Sequence, residues 1–445
     1  MISHRDIPNR VRQLFVCTSL LLLGVFFAGS VGEAAEPVVT IVTDHADAVY
    51  AVDEPVLFTI QVNQDNKPLA GTVNWTLSKD GGTLLQSGRA ELIAGEATVT
   101  GSLGEPGFIH LTASYVYAGK TYSKMVGVGI DPTAIKPSMP VPDDFDAFWD
   151  GKKAELAAVP PVANVKPVSS GDARMAAYEV EVAALGAPVT GYLVKPIDAE
   201  AGTLPIIITL QGAGVANSSL VGARGWAQED MIAFSLNAHG LPLGQPSDFY
   251  SSKYPNGELG DYRIRGRESR EEFYFLGMFL RIVRAIDYLT TLPEWDGKTV
   301  ILYGTSQGGA QAYAGAGLDE RVTFFVAGVT SMADMTGFAA NRGVGGHSKA
   351  LTTGVPLNRL QDVITTMRYF DAMNFATRVK ADGFFTVGFV DTNCLPTTVY
   401  AAYNNVPTNK AIYNDLPTGH ANSTEAVRLM KTAVREHVAK MKQQP

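Results

Sequence analysis

The C-terminal two thirds of the chain contains short apolar runs in which hydrophobic residues follow one another without alternation. Such runs are typical of parallel strands buried on both faces, because an alternating pattern would leave one face in water. A helical stripe with apolar side chains three and four positions apart lies between two of the runs. This part of the chain therefore predicts a doubly wound α/β domain. The runs are IIITL from Ile206, MIAFSL from Met231, TVILY from Thr299, TFFVAGV from Thr323 and FFTVGFV from Phe384.

Residues 36–130 have a different pattern. Short runs rich in Val, Ile, Thr and aromatic residues are separated by turn segments such as SKDGG, as in antiparallel β structure. This predicts a small immunoglobulin-like β-sandwich domain. The proline-rich segment DPTAIKPSMPVP indicates a linker over residues 131–142, which leaves residues 143–445 for the α/β domain. The runs are VVTIVT, PVLFTIQVN, GTVNWTLS, EATVTGS, FIHLTASYVY and YSKMVGVGI.

Residues 1–35 predict a signal peptide. Arg5, Arg10 and Arg12 precede the apolar run LFVCTSLLLLGVFFAGSV, and small residues follow near Ala34, which is the order of regions in a secretory signal. An uncleaved membrane anchor is the alternative interpretation. We expect an exported protein, periplasmic or extracellular, with no other contact with a membrane.

Charge and cysteine content narrow the class of function. The net charge is −8 and no basic cluster occurs, so nothing predicts a nucleic-acid partner. Cys17 lies in the predicted signal peptide, which leaves Cys394 without a disulfide partner. The histidines are scattered and no cysteine pair occurs, so we expect no metal and no other cofactor. Homo-oligomer formation is left open.

A single serine stands at a predicted strand-to-helix corner. The segment GTSQG, centred on Ser306, follows TVILY and precedes the helix-compatible AQAYAGAG. In this context G-x-S-x-G is the nucleophile elbow of α/β-hydrolases, and its glycines leave room at the tight corner. An ordinary turn serine is the alternative. We predict that Ser306 is a nucleophile.

A serine nucleophile needs a base and an orienting acid, and in this fold the acid and then the histidine follow it along the chain. His420 lies in a turn after KAIYN and before the last helix, whereas His347 has no strand directly before it and His437 falls within that helix. Asp391 comes directly after FFTVGFV. We therefore predict that His420 is the base and Asp391 is the acid.

Two backbone N–H groups are predicted to form the oxyanion hole. The first belongs to Gln307, directly after the nucleophile, and the second to Ala213 in the loop QGAG after IIITL. Donors at these two places in the fold face the oxyanion that forms when the serine attacks.

With these residues in place, the chain resembles the cephalosporin-C deacetylase and acetyl xylan esterase family of α/β-hydrolases (carbohydrate esterase family seven). The resemblance rests on VPDDFDAFWD, on DYRIRGRESREEFYFLGMFLRIVRAIDYLTTLPEWD, on GTSQGG and on FVDTNCLPTTVYAAYNN. It implies removal of acetyl groups from small or polysaccharide esters without a cofactor. It also implies that Ser306 is the nucleophile, Gln307 an oxyanion donor and Asp391 the acid.

Three positions differ from the family pattern. The family's Arg-Gly-Gln is His239-Gly240-Leu241 here, the Glu after the catalytic histidine is Ala421, and the aromatic residue of the oxyanion loop is Ala213. If the family's Arg and Glu form a partly buried ion pair, replacing both residues destabilises the fold less than replacing one, which would leave a buried charge without its partner. We therefore expect the loops that carry His239 and Ala421 to meet.

Two other functions fit parts of the pattern. A serine peptidase of the prolyl-oligopeptidase kind shares G-x-S-x-G-G, but such enzymes carry a large propeller that residues 36–130 are too few to build. A carbohydrate-binding protein that has lost catalysis would explain the departures, but not the retention of Ser306, Asp391 and His420. The sequence favours an exported serine esterase that removes acetyl groups from carbohydrate or related small esters.

Overall fold

The computed structural model of the protein describes residues 35–443. The predicted signal peptide lies outside the described residues, apart from Ala35, and stays a prediction. Among the residues described, no helix has the length and apolar character needed to cross a membrane.

The N-terminal part is a sandwich of two sheets, which confirms the all-β prediction. One sheet has the order β1-β3-β4, with β7 also paired to β3, and the other has the order β2-β9-β8-β5-β6. The strand β6 was not predicted, because most of its side chains are exposed and it lacks a buried alternating face. The strands are β1 Val38–Thr43, β2 Val49–Tyr50, β3 Val56–Gln64, β4 Lys67–Pro68, β5 Gly71–Lys79, β6 Thr83–Leu92, β7 Glu96–Gly101, β8 Gly107–Tyr117 and β9 Lys120–Ile130.

The rest of the chain forms one nine-stranded sheet with helices on both faces, which confirms the doubly wound α/β prediction. The strands are β10 Ala163–Val168, β11 Met175–Val182, β12 Val189–Pro196, β13 Leu204–Leu210, β14 Ile232–Leu236, β15 Trp295–Thr305, β16 Phe324–Gly328, β17 Asp382–Gly388 and β18 Lys410–Asp415. The helices are α1 Phe145–Ala157, α2 Leu220–Ala227, α3 Ser247–Ser251, α4 Phe275–Leu289, α5 Gln307–Leu318, α6 Gly346–Thr352, α7 Leu357–Phe370, α8 Ala372–Ala376, α9 Pro396–Asn404 and α10 Thr424–Lys442.

Strand order explains where the functional side chains meet. The sheet runs β10-β11-β12-β14-β13-β15-β16-β17-β18, and from β14 to β18 every pair is parallel. The carboxyl ends of β13, β15, β17 and β18 therefore lie at one edge of the sheet, where ligands bind in open α/β folds. The segments that carry the predicted site residues all follow these four strands.

The continuous apolar runs are buried on both faces, as predicted. In β13, Ile206 and Ile208 belong to the hydrophobic core that includes α4 and α5. Ile207, which points the opposite way, belongs to a second core with residues of α2 and α10. An alternating strand could not serve two cores, so the absence of alternation is a direct consequence of this layering.

The sandwich packs against the segment that follows β17. A Cβ atom on Gly127 of β9 would lie 2.0 Å from the carbonyl oxygen of Phe389, and the rings of Phe108 and Phe389 meet edge to face at 5.0 Å between centroids. The buried carboxylate of Asp80 accepts hydrogen bonds from the Thr397 hydroxyl and, over 3.1 Å, from the Gly343 N–H. The sandwich and the α/β domain therefore share a packed interface next to the loop that carries Asp391.

Candidate active site

Ser306 lies at a sharp corner between β15 and α5. Its backbone has φ 56° and ψ −121°, a conformation that a non-glycine residue adopts only when its surroundings enforce it. A Cβ on Gly304 would lie 2.1 Å from the carbonyl oxygen of Gly308, and a Cβ on Gly308 would lie 2.4 Å from that of Leu210. Only glycine fits at either position, so the motif GTSQG is built around the exposed hydroxyl of its central residue.

The structure brings Ser306, His420 and Asp391 together in one chain of hydrogen bonds. His420 Nε2 lies 2.9 Å from Ser306 Oγ, and His420 Nδ1 lies 2.8 Å from Asp391 Oδ2. Asp391 is fully buried, and its other oxygen accepts hydrogen bonds from the N–H groups of Asn393 (2.8 Å) and Cys394 (2.9 Å). These two donors satisfy the buried carboxylate and fix its orientation toward the imidazole.

The other two histidines considered as the base make different contacts. His437, in α10, stacks on Phe324 at 4.7 Å and its Nε2 lies 3.0 Å from the Thr323 hydroxyl. His347 lines the same pocket as Ser306, but no hydrogen bond joins the two side chains. Of the three histidines that follow Ser306 in the chain, His420 is the one within hydrogen-bonding distance of its hydroxyl, and its role as the base stays a prediction.

The predicted oxyanion donors, Gln307 and Ala213, both line the pocket that holds Ser306. Gln307 is the first residue of α5, so its N–H has no partner within the helix and adds to the positive end of the helix dipole. Within residues 35–443, the N–H of Ala213 makes no backbone hydrogen bond outside regular elements. Both groups can donate to a ligand, and their assignment to the oxyanion hole stays a prediction.

A buried polar network joins the loop of Ala213 to Gln307. The hydroxyl of Tyr262 accepts from the Gly214 N–H (3.0 Å) and donates to Gln307 Oε1 (2.8 Å). His239 Nε2 lies 2.9 Å from the Gly214 carbonyl oxygen, and its Nδ1 lies 2.8 Å from the Tyr274 hydroxyl. Sequence reasoning did not identify Tyr262, because it lies in an irregular segment that has no periodicity to read.

This network overturns the expectation that the loops of His239 and Ala421 meet. His239 is 3% exposed, and both of its ring nitrogens are engaged by Gly214 and Tyr274. Ala421 is exposed and lies in the turn after β18, five strands away in the sheet from β14, the strand that precedes His239. His239 therefore supports the loop that carries Ala213 through its contact with Gly214. The substitution at position 239 is explained by this local packing and not by a pairing with position 421.

The pocket around Ser306 is small, with a cavity volume of about 40 Å³. It is lined by polar side chains from several loops, including Thr330, Asn393, His347 and Arg263. Sequence reasoning identified none of these four as pocket residues. The arginine-rich run DYRIRGRESR was visible, but nothing in it indicates which arginine faces the site.

One group of side chains near the serine could ligate a metal ion. Ligand atoms of Asp391, Cys394 and His420 lie within 4.8 Å of one another. Burial raises the pKa of the Cys394 thiol, which disfavours the thiolate that a metal requires. Asp391 Oδ1 already accepts two N–H groups, and Oδ2 faces His420. The chemistry of these donors fits a proton relay better than a metal centre.

A model of the acetyl xylan esterase family matches residues 133–433. This range begins just after the last strand of the sandwich and contains Ser306, Asp391 and His420. The chain belongs to the acetyl xylan esterase family. It is accordingly a carboxylic ester hydrolase of the carbohydrate acetyl esterase type, as the sequence resemblance implied.

Similar proteins agree with this membership. The acetyl esterase Axe7A of Xylanibacter ruminicola is 31% identical over 449 residues, which span 94% of this chain and 98% of that protein. The solved acetyl xylan esterase of Paenibacillus sp. R4 is 26% identical with a TM-score of 0.60, over 68% of this chain and 98% of that chain. Acetyl xylan esterase 1 of a Thermoanaerobacterium species, 24% identical with a TM-score of 0.59 over 68% and 96%, shares the fold.

Proposed function

We propose that the protein is an exported serine esterase that removes acetyl groups from carbohydrate or related small esters through an acyl-enzyme on Ser306. The observation that carries this proposal is the unbroken relay from Ser306 Oγ through His420 to the buried Asp391. Membership in the acetyl xylan esterase family supports the acetyl ester as substrate. The predicted signal segment, residues 1–35, supports export.

In the first half of the reaction, Ser306 attacks the acetyl carbonyl carbon. An ionised Asp391 can only accept hydrogen bonds, so His420 Nδ1 carries a proton and Nε2 is free to accept one. His420 removes the Ser306 proton as Oγ forms its bond to carbon, and Asp391 stabilises the resulting imidazolium. The N–H groups of Gln307 and Ala213 donate hydrogen bonds to the carbonyl oxygen, which carries the negative charge.

In the second half, the tetrahedral intermediate collapses and the alcohol leaves with the proton held by His420 Nε2. An acetyl group then remains on Ser306. His420 removes a proton from water, which attacks the acetyl carbon, and the Ser306 oxygen leaves as the free hydroxyl after regaining a proton from the imidazolium. Acetate is released and the relay returns to its starting state.

The decisive experiment compares wild type with Ser306→Ala on a chromogenic acetate ester. Turnover should fall by several orders of magnitude, as it does when a triad member is removed, while a Ser123→Ala control on the exposed face of the sandwich keeps its activity. Mass spectrometry of wild type quenched during turnover should find one acetyl group on the peptide that contains Ser306. A variant that keeps more than about a tenth of the activity would place the nucleophile elsewhere.

The same preparation tests the other parts of the proposal. Hydrolysis of peptide amides in preference to acetate esters would favour a peptidase, and binding of glycans without acetate release would favour a non-catalytic protein. The mature N-terminus of the exported protein should fall near Ala35. We further propose that residues 36–130 form the sandwich domain, residues 131–142 a linker and residues 143–445 the catalytic domain.

A further inference from the structure

The pocket of Ser306 has an unusual charge balance for an acidic protein. The chain carries a net charge of −8, yet no Asp or Glu is among the described residues that line this pocket, and Arg263 is the one lining residue there with a permanent charge. His347 is neutral at physiological pH, because burial and, to a smaller extent, the positive charge of Arg263 lower its pKa to about 3. Arg263 is therefore the one charged side chain among the described residues that line the pocket.

Arg263 differs from the other arginines of its segment in having no partner. Arg265 pairs with Asp261, Arg270 lies 2.7 Å from Asp144, and Arg267 donates to main-chain carbonyls that include Leu351 at 3.0 Å. Within the described part of the chain, the guanidinium of Arg263 makes no hydrogen bond or ion pair, although the residue is half-buried. A half-buried guanidinium without a protein partner is available to bind an anionic ligand.

Two polar atoms of other residues that line this pocket are buried without a protein partner. His347 Nε2 is buried and forms no hydrogen bond with any residue of the range 35–443, and the same holds for Thr330 Oγ1, whose residue is 1% exposed. Buried polar atoms of this kind are normally satisfied. Both residues line the pocket with Arg263 and Ser306, which makes its wall polar.

We infer that the natural substrate is an acetyl ester of an acidic sugar, with a carboxylate near the acetylated hydroxyl that binds to Arg263. This inference rests on the proposed function. An acetyl group extends only one methyl beyond the reacting carbon, so a charge recognised elsewhere in the pocket belongs to the alcohol. One guanidinium matches one negative charge, and its planar fork fits the two oxygens of a carboxylate.

The test uses two substrates that differ in one group: a methyl glucuronoside and a methyl glucoside, each acetylated at the same hydroxyl. The ratio of kcat/KM for the acidic over the neutral ester should be about 10 or more in wild type, the effect of a hydrogen bond to a charged group. In Arg263→Gln the ratio should fall to about one, and in Arg263→Lys it should lie between the two. Arg435→Gln, which removes a surface charge paired with Glu229, should keep the wild-type ratio.

A binding measurement separates this inference from the proposed function. In Ser306→Ala, calorimetry should find tighter binding of the acetylated glucuronoside than of the glucoside, and the double variant with Arg263→Gln should lose the difference. Equal binding, a wild-type ratio near one, or an unchanged ratio in a folded Arg263→Gln overturns the inference even if neutral acetates are hydrolysed. A preference for a sulfated over a carboxylated acetyl sugar would overturn the inference that Arg263 binds a carboxylate. If no acetate is hydrolysed but Arg263-dependent binding persists, the proposed function fails and the anion site stands.

Discussion

The hydroxyl of Tyr262 connects the two segments that are proposed to hold the oxyanion, since it accepts from the Gly214 N–H and donates to Gln307 Oε1 over 2.8 Å. Tyr262 touches neither the reacting atoms nor the relay. It fixes the distance between the loop of Ala213 and the start of α5, and thus acts through the donors that it positions.

Tyr262→Phe should lower kcat about tenfold with little change in KM, because misplaced oxyanion donors weaken transition-state stabilisation while ground-state binding persists. It should also cost about 1–3 kcal/mol of unfolding free energy, since Gly214 N–H and Gln307 Oε1 lose a buried partner. The control is Tyr115→Phe, which removes a 2.8 Å hydrogen bond to the Ala70 carbonyl in the sandwich. A kcat loss of equal size in both variants would mean that Tyr262 serves stability alone.

The acyl preference of the enzyme should be short. Hydroxyl and amide groups of Thr330, Ser331, Ser348 and Asn393 line the pocket beside Ser306, so a long alkyl chain would bury them without hydrogen bonds. We expect kcat/KM to fall from acetate to butyrate to octanoate esters of one chromogenic alcohol. A rate that rises with chain length would indicate a lipase-like site and contradict the deacetylase assignment.

Restoring the family residues at positions 239 and 421 should have additive effects. His239→Arg places a charge where both ring nitrogens of His239 now meet neutral partners, so it should destabilise the fold by about 3 kcal/mol or more. Ala421→Glu changes an exposed position and should shift stability by less than about 0.5 kcal/mol. In a double-mutant cycle from urea unfolding, recovery of stability in the double variant would show that the loops do communicate.

Gly127→Ala should weaken both stability and activity. The added methyl would lie 2.0 Å from the Phe389 carbonyl oxygen, so the strand or the segment before Asp391 must move, at a typical cost of about 1–3 kcal/mol. Gly82→Ala is the matched control, because a Cβ there meets nothing within 4 Å. Thermal unfolding and kcat measure the two effects. Full activity in Gly127→Ala would show that the sandwich does not set the position of Asp391.

Acid should remove part of the stability through His437. Burial lowers the pKa of His437 to about 4. The charge of Asp382 raises this pKa and that of Lys440 lowers it, both to a smaller extent. Below about pH 6.5 the unfolded chain binds a proton at His437 that the folded chain does not bind. The contribution of the buried neutral histidine to the free energy of unfolding is therefore complete above about pH 6.5 and is lost as pH falls toward 4. The stability difference between wild type and His437→Gln should shrink by about 1–2 kcal/mol between pH 7 and pH 4.5. A difference that is constant with pH would contradict this.

Residues at the ends of strands were the ones that the sequence identified. Ser306, Asp391 and the loop of Ala213 each directly follow an apolar run, and the order of parallel strands brings such positions to one edge of the sheet. His420 could be chosen from three histidines because its turn follows a strand. Each of these arguments depends on a strand or helix whose hydrophobic pattern can be recognised in the sequence.

Arg263, Tyr262 and His347 could not be found in this way. The first two lie in an irregular segment before α4, and His347 lies at the start of the short helix α6. Their positions depend on tertiary contacts, such as the hydrogen bonds of Arg267 to the carbonyls of Leu351 and Thr353. Composition alone does not reveal which of several neighbouring arginines is left without a partner.

The close approach of Gly127 to Phe389 also bears on how such a protein can be rebuilt by recombination. A catalytic domain transplanted without its sandwich would expose the ring and carbonyl of Phe389 to water, beside the segment that holds Asp391. A foreign sandwich would dock there only if it offered a residue without a side chain at the matching strand position. A domain exchange should therefore transfer the sandwich and the catalytic domain together, because dividing the chain between them would remove this packed contact.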